Sequence, residues 1–211
     1  MSDSNRMESP INSGNYLLIF VRNPELGAVK TRLAKTIGDK KALEAYNILL
    51  EKTKEIALKV RAFRVVYYSN FVDFNDLFNP SYFYKDEQFG VGLGERMDEA
   101  VKSSMEEGAE KVIIIGSDCY DLKTEIIEGA FDALSANDVV IGPAEDGGYY
   151  LIGMKKRHKN LFENKEWGTS NVLLDSILTI KEQKLSYQLM PTLNDVDTIE
   201  DMPTELKEKL G

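Results

Sequence analysis

Apolar residues along this chain follow two spacings, short unbroken runs and a three-to-four-residue periodicity. Tyr16–Val21 is an unbroken apolar run, the pattern of a strand buried on both faces, and it ends in the turn signal Arg22-Asn23-Pro24. From Asp39 to Val60, apolar side chains recur at Ala42, Leu43, Tyr46, Leu49, Leu50, Ile56, Ala57 and Val60, which is one buried face of a helix. Phe63–Ser69 reads as a second strand. The polar and aromatic stretch 70–89 holds Asn79-Pro80 and a short candidate strand at 82–85. A helix is predicted at Glu95–Glu107, and Lys111–Gly116 is the clearest strand in the chain. A helix at Lys123–Leu134 follows, then strands at Asp138–Pro143 and Gly147–Gly153. The short connection between these last two predicts an antiparallel pairing. Helical spacing returns at Thr169–Gln183, before a final strand at Ser186–Met190 and a terminal helix at Ile199–Leu210. This alternation predicts an α/β fold of three layers, α/β/α, with a mostly parallel sheet and a short antiparallel part. Residues 1–13 read as a flexible polar tail and 14–211 as a single domain.

Composition narrows the partners. With 43% hydrophobic and 29% charged residues, the 211-residue chain is ordinary globular protein. No apolar run approaches the roughly 20 residues that cross a bilayer. The polar N-terminus lacks a secretory h-region, and the lone Cys119 fits a reducing compartment, so a cytoplasmic location is expected. The net charge of −9 argues against a nucleic-acid groove. A small phosphorylated ligand remains compatible, because it needs only a local cationic loop or a divalent metal.

In open α/β sheets ligands bind beyond the carboxyl ends of strands, and four polar segments fall there. The loop Arg22–Leu33 bends at Pro24 and Gly27, then presents Lys30 and Arg32 where a helix begins, as an anion site for phosphates or as a solvated basic loop. It is not a Walker A loop, since Gly27 comes two residues too early relative to Lys30. The second segment is Gly90-Val-Gly92-Leu-Gly94 before Arg96; it fails the G-x-G-x-x-G spacing and either admits a base or sugar close to the backbone or caps a helix. In Ser117-Asp118-Cys119-Tyr120-Asp121, Asp118 stands directly after a buried strand, where it suits Mg²⁺ or Mn²⁺. The alternative is a helix N-cap, which fits Asp121 better. Cys119 reads as a small filler, since the only histidine, His158, lies in a basic surface run. The fourth comprises Glu145-Asp146-Gly147-Gly148-Tyr149-Tyr150 and the later Asn194-Asp195-Val196-Asp197-Thr198, two acidic clusters that complete a metal site if they converge and serve only their turns if they do not.

Six stretches, in this order, resemble one family: Lys30–Ala34, Gly92–Met97, Gly116–Cys119, Pro143–Gly153, Trp167–Ser170 and Asp195–Thr198. The family is a DUF2064-like group of bacterial transferases in the nucleotide-diphospho-sugar transferase superfamily. The resemblance implies a glycosyltransferase A-type (GT-A-like) fold. It implies that Lys30 and Arg32, with Arg22 in the same loop, grip nucleotide phosphates. It also implies that Asp118 binds the metal with Asp197 as second ligand, and that Gly92, Gly94 and Arg96 lie near the nucleotide or sugar. Family members often carry Pro after the Asp-Cys pair, where this chain has Tyr120.

Three functions follow from these parts. The leading one is glycosyl transfer from a nucleotide sugar to an unidentified small-molecule acceptor, with Asp146 orienting or deprotonating the acceptor hydroxyl. The second is nucleotidyl transfer from a nucleoside triphosphate to a small phosphorylated acceptor, with pyrophosphate leaving. A cationic loop with Lys30 at its end suits that reaction in particular. The third is nucleotide binding without catalysis.

Overall fold

Short apolar runs must be covered on both faces, and they form the middle of the sheet. In the computed structural model, which describes residues 14–211, β1 (Asn15–Val21) lies parallel to β4 (Lys111–Ile115), with Leu17, Ile19, Ile113 and Ile115 fully buried. The tail expected at 1–13 lies outside the described residues. β2 (Phe63–Tyr68) pairs parallel with β1 on its other side, and β3 (Tyr84–Glu87) closes that edge. Beyond β4 comes β6 (Tyr149–Met154), antiparallel to β4 and to β5 (Val139–Pro143), and then β7 (Tyr187–Leu189), parallel to β5. The seven-stranded order is β3-β2-β1-β4-β6-β5-β7, so only β6 runs against the rest. The short β5–β6 connection does produce the antiparallel pair that its length predicts.

Helices cover both faces. One core joins α1 (Thr31–Ile37), α2 (Asp39–Lys59), α4 (Thr124–Ala133) and α6 (Thr204–Lys209) to the sheet. A second core, on the other face, joins α3 (Leu93–Glu106) and α5 (Val172–Glu182). Gly38 separates α1 from α2 with a φ of 83°, a left-handed conformation that favours glycine. Among the described residues no helix is long and apolar enough to cross a membrane.

Some element ends differ from the pattern. The terminal helix shrinks from 199–210 to Thr204–Lys209, because Asp201 folds the preceding residues into a turn. Its Oδ2 accepts from Thr198 N–H at 2.7 Å and Thr198 Oγ1 at 2.8 Å, and Pro203 then starts the helix in an extended conformation. Helix α5 starts at Val172, since Gly168 to Asn171 form turns. Lys123, and not Asp121, is the N-cap of α4. Tyr120 is buried against the α6 side, with its hydroxyl 3.3 Å from Glu205 and Lys52 over its ring.

The polar loop after β2 is fastened by a buried ion pair. Lys85 Nζ lies 2.5 Å from Asp76 Oδ1 and donates to the Asp73 carbonyl at 2.6 Å, while the Tyr68 hydroxyl also donates to Asp76. The side chains of Lys85 and Asp76 are only 2% and 13% exposed. Removing one member strands the other charge, so Lys85→Met is expected to lower the unfolding free energy by about 3 kcal/mol in urea titrations.

Candidate active site

Parallel strands β1, β2 and β4 end at the same edge, and a cleft of about 560 Å³ opens there. Its floor is built by ties between strand ends. The buried Tyr46 of α2 accepts from Arg22 N–H at 2.9 Å, donates to the Arg22 carbonyl at 3.1 Å and meets Ser117 Oγ at 3.1 Å. One side chain thereby holds the ends of β1 and β4 together. Asn23 does the same for β1 and β2: its Oδ1 accepts from Asn70 N–H at 3.0 Å and its Nδ2 donates to the Phe71 carbonyl at 2.9 Å.

The cationic loop leaves β1 through Gly27, whose φ is 78°, and is anchored by buried Val29. Lys30 follows as the cap residue of α1 with φ 47° and ψ 43°, a left-handed conformation that is costly for any side chain but glycine. That conformation carries the lysine inward. Its side chain is 4% exposed, and Nζ lies 2.9 Å from Asp118 Oδ1 and 3.3 Å from Asp197 Oδ1. Arg32 remains exposed, with Nη1 3.5 Å from Asp197 Oδ2.

Asp118 projects from the loop after β4, and its side chain is 42% exposed. The Asp118 carbonyl accepts from Val196 N–H at 2.9 Å, and this bond draws the acidic segment 194–197 against the β4 end. The two late aspartates then separate. Asp197 lies on Lys30 and Arg32, whereas Asp195 lines the cleft with Asp118. Burial pushes the Asp195 carboxyl up to about 7, and Asp118, Asp146 and Asp197 add to this while Lys30 opposes it. Asp195 is thus the carboxyl that the sequence leaves unsingled. The buried Val196 between two more exposed aspartates is the pattern that distinguishes them only once the chain's path is known.

The other candidates are placed as follows. Arg22 lines the cleft. Arg96 also lines it, and its guanidinium holds the glycine loop, with Nε donating to the Gly90 carbonyl at 3.0 Å and Nη1 to Ser69 O at 3.4 Å. Gly92 caps α3 in open space. Gly94 faces the protein's own chain, since a Cβ there would stand 2.2 Å from the Phe162 carbonyl and 2.7 Å from Trp167 Nε1. Asp146 spends Oδ1 on its own turn, accepting from Gly148 N–H at 2.8 Å, and lines a smaller cavity beside Asp195. Burial pushes the Cys119 thiol up to about 12, which suits a filler and not a nucleophile. His158 lies after β6, away from the cleft lining.

Asp118 and Asp195 are the carboxylates of this cleft that could hold a hard divalent cation. Burial first, and Asp118 second, hold the Asp195 carboxyl high, and the buried Lys30 ammonium lies against Asp118. Among the described residues, no group of three or more aspartate, glutamate, histidine or cysteine side chains is arranged to hold a metal ion. An open pair of carboxylates is the arrangement in which Mg²⁺ completes its shell with water and substrate phosphates.

Tyr149 separates the cleft from the smaller cavity. Its ring meets Trp167 edge-on at 6.1 Å, and its buried hydroxyl has no hydrogen-bond partner among the described residues. Burial alone raises its pKa. Deleting that orphan oxygen in Tyr149→Phe is expected to raise the unfolding free energy by about 1 kcal/mol, read by calorimetry.

Comparison with known proteins gives four matches. The profile of a family described as "Uncharacterized protein conserved in bacteria (DUF2064)" matches residues 55–169. A curated relative, 2-phospho-L-lactate guanylyltransferase of Methanocaldococcus jannaschii, is 27% identical over 199 residues, covering 91% of this chain and 83% of the relative. Among solved structures, a provisionally named nucleotide-diphospho-sugar transferase from Desulfovibrio desulfuricans G20 is 32% identical with a TM-score of 0.82, covering 88% of this chain and 83% of that one. The inositol-1-phosphate CTP transferase of T. maritima shares the fold at 13% identity, with a TM-score of 0.58 over 92% of this chain and 94% of that one. The α/β architecture is therefore that of the nucleotide-diphospho-sugar transferase superfamily.

Proposed function

The chain belongs to the DUF2064 family, and from that premise we propose that it is a metal-dependent nucleotidyltransferase. It would join a nucleoside monophosphate, taken from a nucleoside triphosphate, to a small phosphorylated acceptor and release pyrophosphate. The observation that carries this reading is Lys30, held in a strained left-handed conformation with its ammonium buried between Asp118 and Asp197. A pyrophosphate leaving group concentrates negative charge beyond the α-phosphate, and a preorganised ammonium there stabilises it as the bond breaks. The relatedness to a guanylyltransferase over 91% of the chain supports the same reading.

Asp118 and Asp195 would hold Mg²⁺ or Mn²⁺, which when bound would neutralise phosphate charge and polarise the α-phosphate. Arg22 and Lys30 would bind the phosphate tail, with the exposed Arg32 reaching it from the loop. Arg96 would fix the glycine loop against the nucleotide. A phosphate oxygen of the acceptor attacks the α-phosphorus, the α–β bridging bond breaks, and its electron pair leaves on pyrophosphate. The acceptor phosphate is already ionised at neutral pH, so this step needs no general base. Asp146, with one oxygen bound in its turn, would border the acceptor. The cytoplasm is the compartment in which this chemistry would be supplied with triphosphates.

Glycosyl transfer, which the sequence alone favours, keeps one supporting observation in the name of the D. desulfuricans structure. Product analysis separates the two. With Mg²⁺ and mixed acceptors, pyrophosphate release from a triphosphate is expected, and release of nucleoside diphosphate from a sugar nucleotide alone would overturn the proposal.

A further inference from the structure

Beside the carboxylates lies a second cavity of about 200 Å³, larger than the roughly 150 Å³ that admits a benzene ring. Its walls are Leu93, Met97, Ile114, Ile152 and Val172, with the Trp167 indole across from them. Its polar end carries Asp146 and Asp195, and no lysine or arginine lines it. The contrast with the neighbouring cleft is one of charge, because the cleft is lined by Arg22 and Arg96. Leu93 and Tyr149 belong to both linings, so the two spaces adjoin along the Asp195 side.

We propose that this cavity receives the body of the acceptor and that this body is an uncharged, apolar group of about the size of a small ring. The proposal rests on the nucleotidyltransferase reading for the identity of the reacting group, but the character of the cavity is independent of it. A carboxylate carried past Asp195 into the cavity would be stripped of water among Met97, Ile114 and Ile152, with no lysine or arginine side chain to pair with it. A hydrocarbon ring or branched chain would instead cover Met97, Ile114, Ile152 and the Trp167 side chain, gaining the free energy of burying apolar surface. The acceptor's phosphate would remain at the mouth, on the Asp195 side. The acceptor class therefore differs from the phosphocarboxylate in the name of the M. jannaschii relative.

Trp167 is the only tryptophan in the chain, so its emission reports occupancy of this cavity without any reaction. The full-length protein would be titrated in Mg²⁺ with benzyl phosphate and, separately, with 2-phospho-L-lactate. Benzyl phosphate is expected to change Trp167 emission saturably, with an apparent affinity at least about tenfold above that of 2-phospho-L-lactate. Leu93, at the shared rim and 45% exposed, supplies the converse variant. Leu93→Arg adds a cation without burying it, and is expected to move the preference about tenfold toward 2-phospho-L-lactate. A wild-type preference for 2-phospho-L-lactate, or no emission change with benzyl phosphate, would overturn the proposal. Pyrophosphate release is measured in parallel across the four triphosphates. Its absence alongside a saturable emission change would remove the nucleotidyltransferase reading and leave the apolar pocket standing.

Discussion

Asp118→Asn is expected to reduce pyrophosphate release by about a thousandfold, equivalent to roughly 4 kcal/mol of transition-state stabilisation. Asp118 stands in the loop that follows the largely buried β4, and its backbone carbonyl holds the Asp195 segment through Val196 N–H. That tie belongs to the main chain and survives the substitution. The amide oxygen also keeps an acceptor for Lys30, which lies 2.9 Å from Oδ1. The change therefore removes a charge while leaving shape and the main hydrogen bonds in place. Neutralising Asp118 also removes one of the pressures that hold the Asp195 carboxyl high. Thermal unfolding without metal is accordingly expected to stay close to that of the unsubstituted protein, whereas the upward shift in Tm given by Mg²⁺ with nucleotide should vanish. Turnover within tenfold of the original protein would place this carboxylate outside the reaction.

How much of this was legible in the residues depends on whether a local or a long-range contact sets each feature. The central strands were legible, because an unbroken run such as Lys111–Ile115 has no other way to cover both faces. The antiparallel β6 followed from the length of one connection. The cleft's location followed from strand direction, and Asp118 from its place directly after β4. What was not legible came from pairings between distant segments. Only the path of 193–197 along the β5 end, through Leu193 N–H to the Pro143 carbonyl at 3.1 Å, assigns Asp195 to the cleft and Asp197 to the lysine. Tyr46 carried no signal beyond a helical core position, yet its hydroxyl joins two strand ends. Gly94 shows the reverse case: the motif marked it for a ligand, and the indole of Trp167 takes the space instead.

Lys30→Met is expected to move two measurements in opposite directions, which distinguishes a phosphate-binding ammonium from a structural ion pair. Methionine preserves an unbranched stem in a position that is 4% exposed, so the packing under the loop is largely retained. Deleting the ammonium leaves Asp118 and Asp197 without their shared cation, 2.9 and 3.3 Å away in the original protein. In the absence of nucleotide the ammonium competes with a divalent ion for Asp118. Its removal should therefore tighten Mg²⁺ binding by about tenfold, as read by calorimetric titration. Pyrophosphate release should nevertheless fall by about a hundred- to a thousandfold, the loss expected when one preorganised cation or donor is removed from developing negative charge. Tighter metal binding with slower turnover cannot come from damage to the carboxylate site, since damage would weaken both. If Mg²⁺ binding tightens while turnover is unchanged, Lys30 serves only to balance charge in the resting protein, and the phosphate role passes to Arg22 and Arg32.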